Sequence, residues 1–212
     1  MEKAMKINLD SPVIAFLTTV ADFMILNILF IICCVPVITI GPAISALYTI
    51  TMREARHEGG YIFNPFFKAF KNNFRQSFLL SILYFLAGAV LVFGVKFWQG
   101  KSGFSTSDQV MLVITGVFAV IWILSLLYVF ALTARFDNTV LKTVKNAVIL
   151  AVFNLKETIL LALISAVVII LMIFAKSVWI FMMVGGFSAC AYVKSLLLIK
   201  VFRQYEPEEG EI

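Results

Sequence analysis

Five apolar stretches, at residues 16–35, 78–95, 110–132, 158–175 and 178–198, are each long enough to cross a bilayer. A helix needs roughly 20 apolar residues to span the ~30 Å hydrocarbon core. In lipid every backbone polar group must be bonded internally, and a helix does this within one segment. The expected fold class is therefore an all-α membrane protein with about five transmembrane helices. Hydrophobic residues make up 62% of the chain and charged residues 14%, against ~45–50% and ~25% in soluble domains. The spans and their connections account for the full length, so residues 1–212 read as a single polytopic domain.

Lys3 and Lys6 precede the first stretch, as in a signal peptide. That stretch exceeds the ~7–15 residues of a signal h-region, and no Ala-x-Ala-like site follows it. Ile32 stands before Cys33, where a lipoprotein signal has a small residue. The first stretch is expected to be a retained span.

Basic residues set the orientation. Arg53, Arg56, Lys68, Lys71, Arg75, Arg135, Lys142, Lys145, Lys156, Lys194, Lys200 and Arg203 fall on one side of the spans. Only Lys3, Lys6, Lys96, Lys101 and Lys176 fall on the other. The positive-inside rule puts the larger set in the cytoplasm, the amino terminus outside and the carboxyl terminus inside. The net charge of +5 then sits at span edges, facing anionic headgroups rather than nucleic acid. Cys33, Cys34 and Cys190 lie inside spans and read as small packing residues.

The first span runs into Pro36-Val37-Ile38-Thr39-Ile40-Gly41-Pro42. Two prolines without a backbone donor, with a conformationally free glycine between, demand a break near the cytoplasmic face. Pro42 suits the start of a short helix over 43–57, which Gly59-Gly60 ends. Asn64-Pro65 marks a further helix start, with Asn64 as cap. From there Phe66, Phe67, Phe70, Phe74 and Phe78 recur at helical spacing, apart from Lys68, Lys71 and Arg75. This predicts an amphipathic interfacial helix flowing into the second span, its aromatic stripe facing lipid or a partner. Residues 138–154 form a second amphipathic segment. Ser105 to Asp108 offers caps for the third span, and the acidic tail 206–212 reads as disordered.

Residues 73–80 parallel residues 154–161, and Leu47-Tyr48 parallels Leu127-Tyr128. Each match precedes a span running the same way. A parallel two-helix repeat, of a kind transporters use, competes here with chance similarity between apolar segments.

Candidate functional residues are few. Asp22 is the acid well inside a span, where an ionisable group costs at least ~2.5 kcal/mol. Thr18 shares its face and Asn27 lies deeper. Asp22 is either a solute, ion or proton contact, or a structural acid paired with Lys96 or Lys176 or bonded within the bundle. Pro36, Thr39, Gly41, Pro42 and Tyr48 mark the break and its helix. Lys194, about a turn from the cytoplasmic end of its span, is explained by snorkelling. Gly185 and Ala189 form a small-residue face for close helix approach, within the molecule or with another subunit. Arg53, Arg56 and the aromatic and basic residues from Phe66 to Arg75 are candidate partner or lipid contacts. His57 is the sole histidine, too little for a metal site even beside Glu54 and Glu58. No nucleophile–base constellation or phosphate loop can be assembled. The expectation is a protein that is not an enzyme and carries no metal or cofactor.

The pairing of Thr39-Ile40-Gly41-Pro42-Ala43 with Ala46-Leu47-Tyr48, followed by Phe66-Phe67-Lys68-Ala69-Phe70-Lys71-Asn72-Asn73-Phe74, resembles the YesL-like family of bacterial integral membrane proteins of unknown function. The resemblance implies a small protein of the Gram-positive cell membrane, often encoded among carbohydrate-uptake and glycan-degradation genes. It supplies no catalytic residues. It suggests an accessory protein associated with permease subunits of a carbohydrate ABC importer. The alternative from the residues themselves is a small autonomous transporter or channel, using the broken first helix and Asp22.

Overall fold

The computed structural model describes residues 12–100 and 105–205. Lys3, Lys6, Lys101 and the tail 206–212 lie outside the described residues. The chain runs through α1 (Pro12–Cys34), a 3-10 turn (Val37–Thr39), α2 (Ile40–Ala55), α3 (Phe63–Gln99), α4 (Thr106–Arg135), α5 (Val140–Phe153) and α6 (Leu155–Phe174). It closes with α7 (Lys176–Phe181), a π turn (Met182–Gly186) and α8 (Phe187–Phe202), stacked end to end. No strand occurs among the described residues. Five helical segments are long and apolar enough to cross a membrane, and the five expected stretches lie on them. The protein is an all-α, multi-pass membrane protein.

The break after α1 falls where the prolines require it. The Thr39 hydroxyl lies 2.6 Å from the Cys33 carbonyl and 2.7 Å from that of Pro36. It thereby serves Cys33 O in the last turn of α1, while Pro36 O also accepts from Thr39 N–H at 3.0 Å. α2 then starts at Ile40, two residues before Pro42, so Gly41 and Pro42 sit in its first turn. Gly41 is helical here. It is needed because a Cβ would strike the Ser81 side chain and come within 2.8 Å of the Ser77 carbonyl and 2.9 Å of the Phe130 ring.

The other end of α2 comes earlier than Gly59-Gly60 suggests. His57 takes the left-handed conformation, φ 60°. Its N–H donates to Glu54 O at 2.9 Å, and Glu58 N–H donates to Arg53 O at 3.2 Å. These two bonds make a Schellman cap with histidine where glycine is usual. Asn64 is likewise not the cap of α3. Phe66 N–H already donates to Ile62 O at 2.9 Å, which places Asn64 and Pro65 inside the first turn. At α4 the expected capping holds: Ser105 N–H and its hydroxyl reach the Asp108 carboxylate at 3.2 and 2.9 Å.

Helix lengths locate the membrane. α6 has 20 residues, ~30 Å at 1.5 Å per residue, matching the hydrocarbon core. α3 has 37 residues, ~55 Å. The amphipathic segment beginning near Phe66 flows into the second span without interruption. Being collinear with that span, its first turns project past the interface instead of lying along it. Residues 63–77, α2, α5 and the end of α8 form a head at the basic end of the bundle.

Burial is concentrated in that head. α2 is its axis: Gly41 through Tyr48 are buried except Ile44, as are Ile50, Thr51 and Met52. Around it pack α1, α3, α4 and α8. Buried side chains come from residues 26–30 of α1, the first half of α3, the end of α4 and the end of α8. Polar side chains stitch neighbouring helices together. Asn73 Nδ2 donates to Ser45 Oγ at 3.2 Å, and Thr51 and Ser195 share a 2.8 Å hydroxyl bond. Gln76 Nε2 donates to Thr143 Oγ1 at 2.9 Å, Tyr84 OH to Ser125 Oγ at 3.0 Å, and Tyr128 pairs with Thr158 at 2.8 Å. Towards the other end the side chains turn outward. There α3 and α4 touch closely where the Trp122 ring lies over Gly88, which a Cβ would approach to 2.6 Å.

The internal sequence parallel is matched in burial at some positions and not at others: Asn154 is buried where Asn73 is half-buried, and Leu155 and Ile159 are exposed where Phe74 and Phe78 are half-buried. Ser77 and Thr158 are both buried, as are Leu80 and Leu161. Tyr48 and Tyr128 are both buried too, but one is on α2 and the other on α4.

Candidate functional site

The deepest polar constellation joins α1 to the π turn. Asn27 is 0% exposed, at a depth where an unbonded amide is expensive. Its Nδ2 donates to Met182 O at 2.9 Å and to Met183 O at 2.8 Å. Its Oδ1 accepts from Ser188 N–H at 3.1 Å. The Ser188 hydroxyl lies 2.8 Å from both Phe23 O and Gly185 O. A π turn displaces the regular helical bonds and frees backbone groups for outside partners. Asn27 meets that need on one helix and Ser188 on the other. Phe23 against Tyr192, with centroids 5.2 Å apart, and Phe30 against Phe187, 5.7 Å apart, flank the junction.

Gly185 and Ala189 do not close on a neighbour. They floor an apolar crevice of about 380 Å³ between α1 and α8, walled by Val20, Phe23, Met24 and Tyr192. A Cβ on Gly185 would meet only Met24, at 3.9 Å.

Asp22 lies one turn above Leu26 on the same face of α1 and is half-buried. It makes no ion pair with Lys96 or Lys176, and no hydrogen bond among the described residues. Pro36 is exposed at the break, and Thr39 is half-buried beneath it. Gly41 and Pro42 are buried against α3 and α4. Tyr48 is buried beside Cys190, and that burial pushes its phenol well above the usual value. Lys194 stays half-buried, near the same thiol. The structure thus gathers Gly41, Pro42 and Tyr48 into the head, sends Asn27 to the π turn, and leaves Asp22 apart from both.

The basic and aromatic residues divide sharply. Phe66 is fully buried, so it belongs to the core of the head and not to a contact surface. Arg53 donates to Tyr61 O at 2.9 Å and lies 3.7 Å from Glu54. Arg56 grips Glu58 with contacts of 2.9 and 3.0 Å. Both arginines are occupied locally. Lys68, Lys71, Arg75 and Phe67 are exposed; Phe70 and Phe74 are half-buried, their rings 5.6 Å apart.

A cavity of about 230 Å³ opens at the basic end among Leu132, Phe136, Asn146, Phe202 and Tyr205. The larger hollows along the spans, including one of about 560 Å³ beside Tyr84 and Trp122, are bounded mainly by apolar side chains. No cluster of three metal-ligating residues occurs among the described residues.

Sequence reasoning picked out Asn27 but passed over its partner Ser188, and over Thr51 and Ser195. A usable signal was present. Ser188, Ala191, Ser195 and Leu198 recur at intervals of three and four, marking a narrow small-residue face on α8 that permits close packing.

No curated protein and no solved structure matches the chain. Residues 23–95 match a family model described as a protein of unknown function, DUF624. The matched segment runs from the α1 face that meets the π turn, through the break and α2, to the last turns of α3. That segment is similar to the DUF624 family of unknown function, to which the YesL-like proteins belong.

Proposed function

We propose that the protein is a non-enzymatic accessory subunit of a membrane uptake system, a scaffold that presents its basic head, on the cytoplasmic side, to a membrane partner. The observation that carries this reading is the way polar groups are used. In the bundle most buried polar side chains bond to one another or to helix backbone, with Ser77 Oγ and Trp122 Nε1 the exceptions among the described spans, and the hollows beside α1 and between α3 and α4 are lined mainly by apolar side chains. A solute pathway needs polar groups facing a wet cavity at membrane depth. The resemblance to YesL-like proteins supplies the class of partner, permease subunits of a carbohydrate ABC importer, through genomic company and not through mechanism. The bacterial cell membrane, with the amino terminus outside and the carboxyl terminus inside, follows from the same resemblance and from the basic residues. Affinity purification from native membranes in mild detergent, after light crosslinking, tests the reading. Stoichiometric permease subunits are expected. Recovery of this chain alone, or as its own oligomer, overturns it.

One observation favours a second reading, a small autonomous transporter. Asp22 is half-buried on the inward face of α1 without a hydrogen bond among the described residues, above a helix that breaks at Pro36. Uptake in cells that depend on the protein, compared between wild type, Asp22→Asn and Thr39→Val, tests it. Unchanged uptake in both variants removes this reading.

A further inference from the structure

Tyr61 in the loop before α3 and Phe63 and Phe67 in its first turns are 91%, 57% and 40% exposed, next to Lys68, Lys71 and Arg75. None of these three bases makes a hydrogen bond or ion pair among the described residues. Arg53 holds the Tyr61 carbonyl at 2.9 Å, fixing the loop that presents the Tyr61 ring. Phe63 and Phe67 stack edge to face with centroids 5.1 Å apart. The patch is therefore set in place, aromatic along one line and basic beside it.

Lipid reaches only its near edge, where Arg75 stands ~4–5 Å beyond the start of the apolar run, and not its aromatic end. The apolar run of α3 begins at Phe78, and Phe67 and Phe63 precede it by eleven and fifteen residues. At 1.5 Å per residue they stand ~16 and ~22 Å beyond the hydrocarbon. The headgroup layer adds only ~5–8 Å on each side, from a total bilayer of ~40–45 Å around a ~30 Å core. A second copy is also a poor occupant. A two-fold contact would gather two sets of Lys68, Lys71 and Arg75 in one interface, and residues 61–75 hold no acid to offset them.

We infer that this patch docks an acidic amphipathic segment of a membrane-associated protein, with an apolar side chain against Phe63 and Phe67 and carboxylates against Lys68 and Lys71. The inference rests on the accessory reading and assigns its contact face. Aromatic anchors with a basic rim are the composition of a protein interface, and the rim charges steer and orient the partner.

The test places the photo-crosslinker p-benzoylphenylalanine at position 67 of the full chain in native cells, and at position 85 as a control. Phe85 is 76% exposed in mid-span and faces lipid. A discrete protein adduct is expected at 67, absent at 85, whose crosslinked peptide carries net negative charge. Adding Lys68→Glu and Lys71→Glu, both exposed and so compatible with the fold, is expected to cut the adduct about tenfold, through like-charge repulsion. Adduct yield unchanged by charge reversal, a lipid adduct, an adduct to a second copy or to the chain's own tail, or no adduct overturns the inference. If permease subunits still co-purify with wild type in that case, the accessory reading stands and only the contact face is wrong. If they do not, both fall.

Discussion

Asn27→Ala tests the α1–α8 junction most directly. The change removes three hydrogen bonds, to Met182 O, Met183 O and Ser188 N–H, from a side chain with no exposed surface. Within membrane bundles a side-chain hydrogen bond averages ~0.6 kcal/mol and reaches ~1.7. Three of them give about 2–5 kcal/mol. The upper part of that range applies if the π turn cannot relax, because its freed carbonyls then lack any donor. Against a total stability of ~5–15 kcal/mol this is a large fraction. Denaturation of purified protein in mixed micelles, titrated with SDS, measures it. Ile28→Ala is the control, since Ile28 is the adjacent lipid-facing residue. Ser188→Ala keeps the N–H that Asn27 uses and removes only the hydroxyl contacts, for about 1 kcal/mol. The double variant should lose less than the sum, because both side chains secure one junction. If Asn27→Ala costs under about 1 kcal/mol, or no more than Ile28→Ala, the bonds contribute little and the reasoning fails.

Three further predictions concern the head. Gly41→Ala should cost about 1–3 kcal/mol in the same titration, since the new methyl meets backbone at Ser77 and the Phe130 ring as well as Ser81; a neutral result would mean α2 is free to slide along α3. His57→Gly should raise stability by about 0.5–1 kcal/mol by relieving a left-handed histidine at φ 60°, and a loss would show that the imidazole has a partner role at the cap. Burial raises the folded-state pKa of Tyr48 above its unfolded value of ~10, so its contribution is complete below that pH and declines as pH rises beyond it. Tyr48→Phe should therefore lose stability less steeply than wild type above about pH 10, followed by the unfolding midpoint across alkaline pH; parallel curves would refute the assignment.

Hydropathy located the spans because length and apolarity are what lipid selects. The break at Pro36 and the packing of α4 onto its Ser105 cap were legible for equally local reasons. The boundaries that moved depended on what lay opposite. Gly41 reads as a flexible residue until Ser77, Ser81 and Phe130 are placed across from it. Gly59-Gly60 reads as a helix stop until His57 takes the left-handed position first. Phe66 and Phe67 are adjacent and chemically identical, yet one is core and the other surface. Only the position of α2 decides between them. The π turn has a weak signature in Gly185-Gly186, and its partner Asn27 lies more than 150 residues earlier, with |i−j| = 155 for the bond to Met182. Pairings of that range have no local pattern to betray them.

The same physics accounts for where the core lies. Within the hydrocarbon an apolar side chain gains nothing by leaving lipid for protein, so helices there associate through small residues and polar bonds. Gly88 under Trp122 and Asn27 on the π turn are contacts of this kind. Beyond the hydrocarbon water is present, and burying apolar area is favourable at about 25 cal/mol per Å². The helices of the head accordingly close around α2, and Leu47, Ile50, Met52, Phe66, Val201 and Phe202 are removed from solvent. Tyr61, in the loop before α3, and Phe63 and Phe67, in its first turns, lie in the same region and stay exposed. In a region where burial is available and favourable, an aromatic patch left uncovered beside bases unpaired among the described residues is the observation on which the inferred docking face rests, and the crosslink from position 67 decides it.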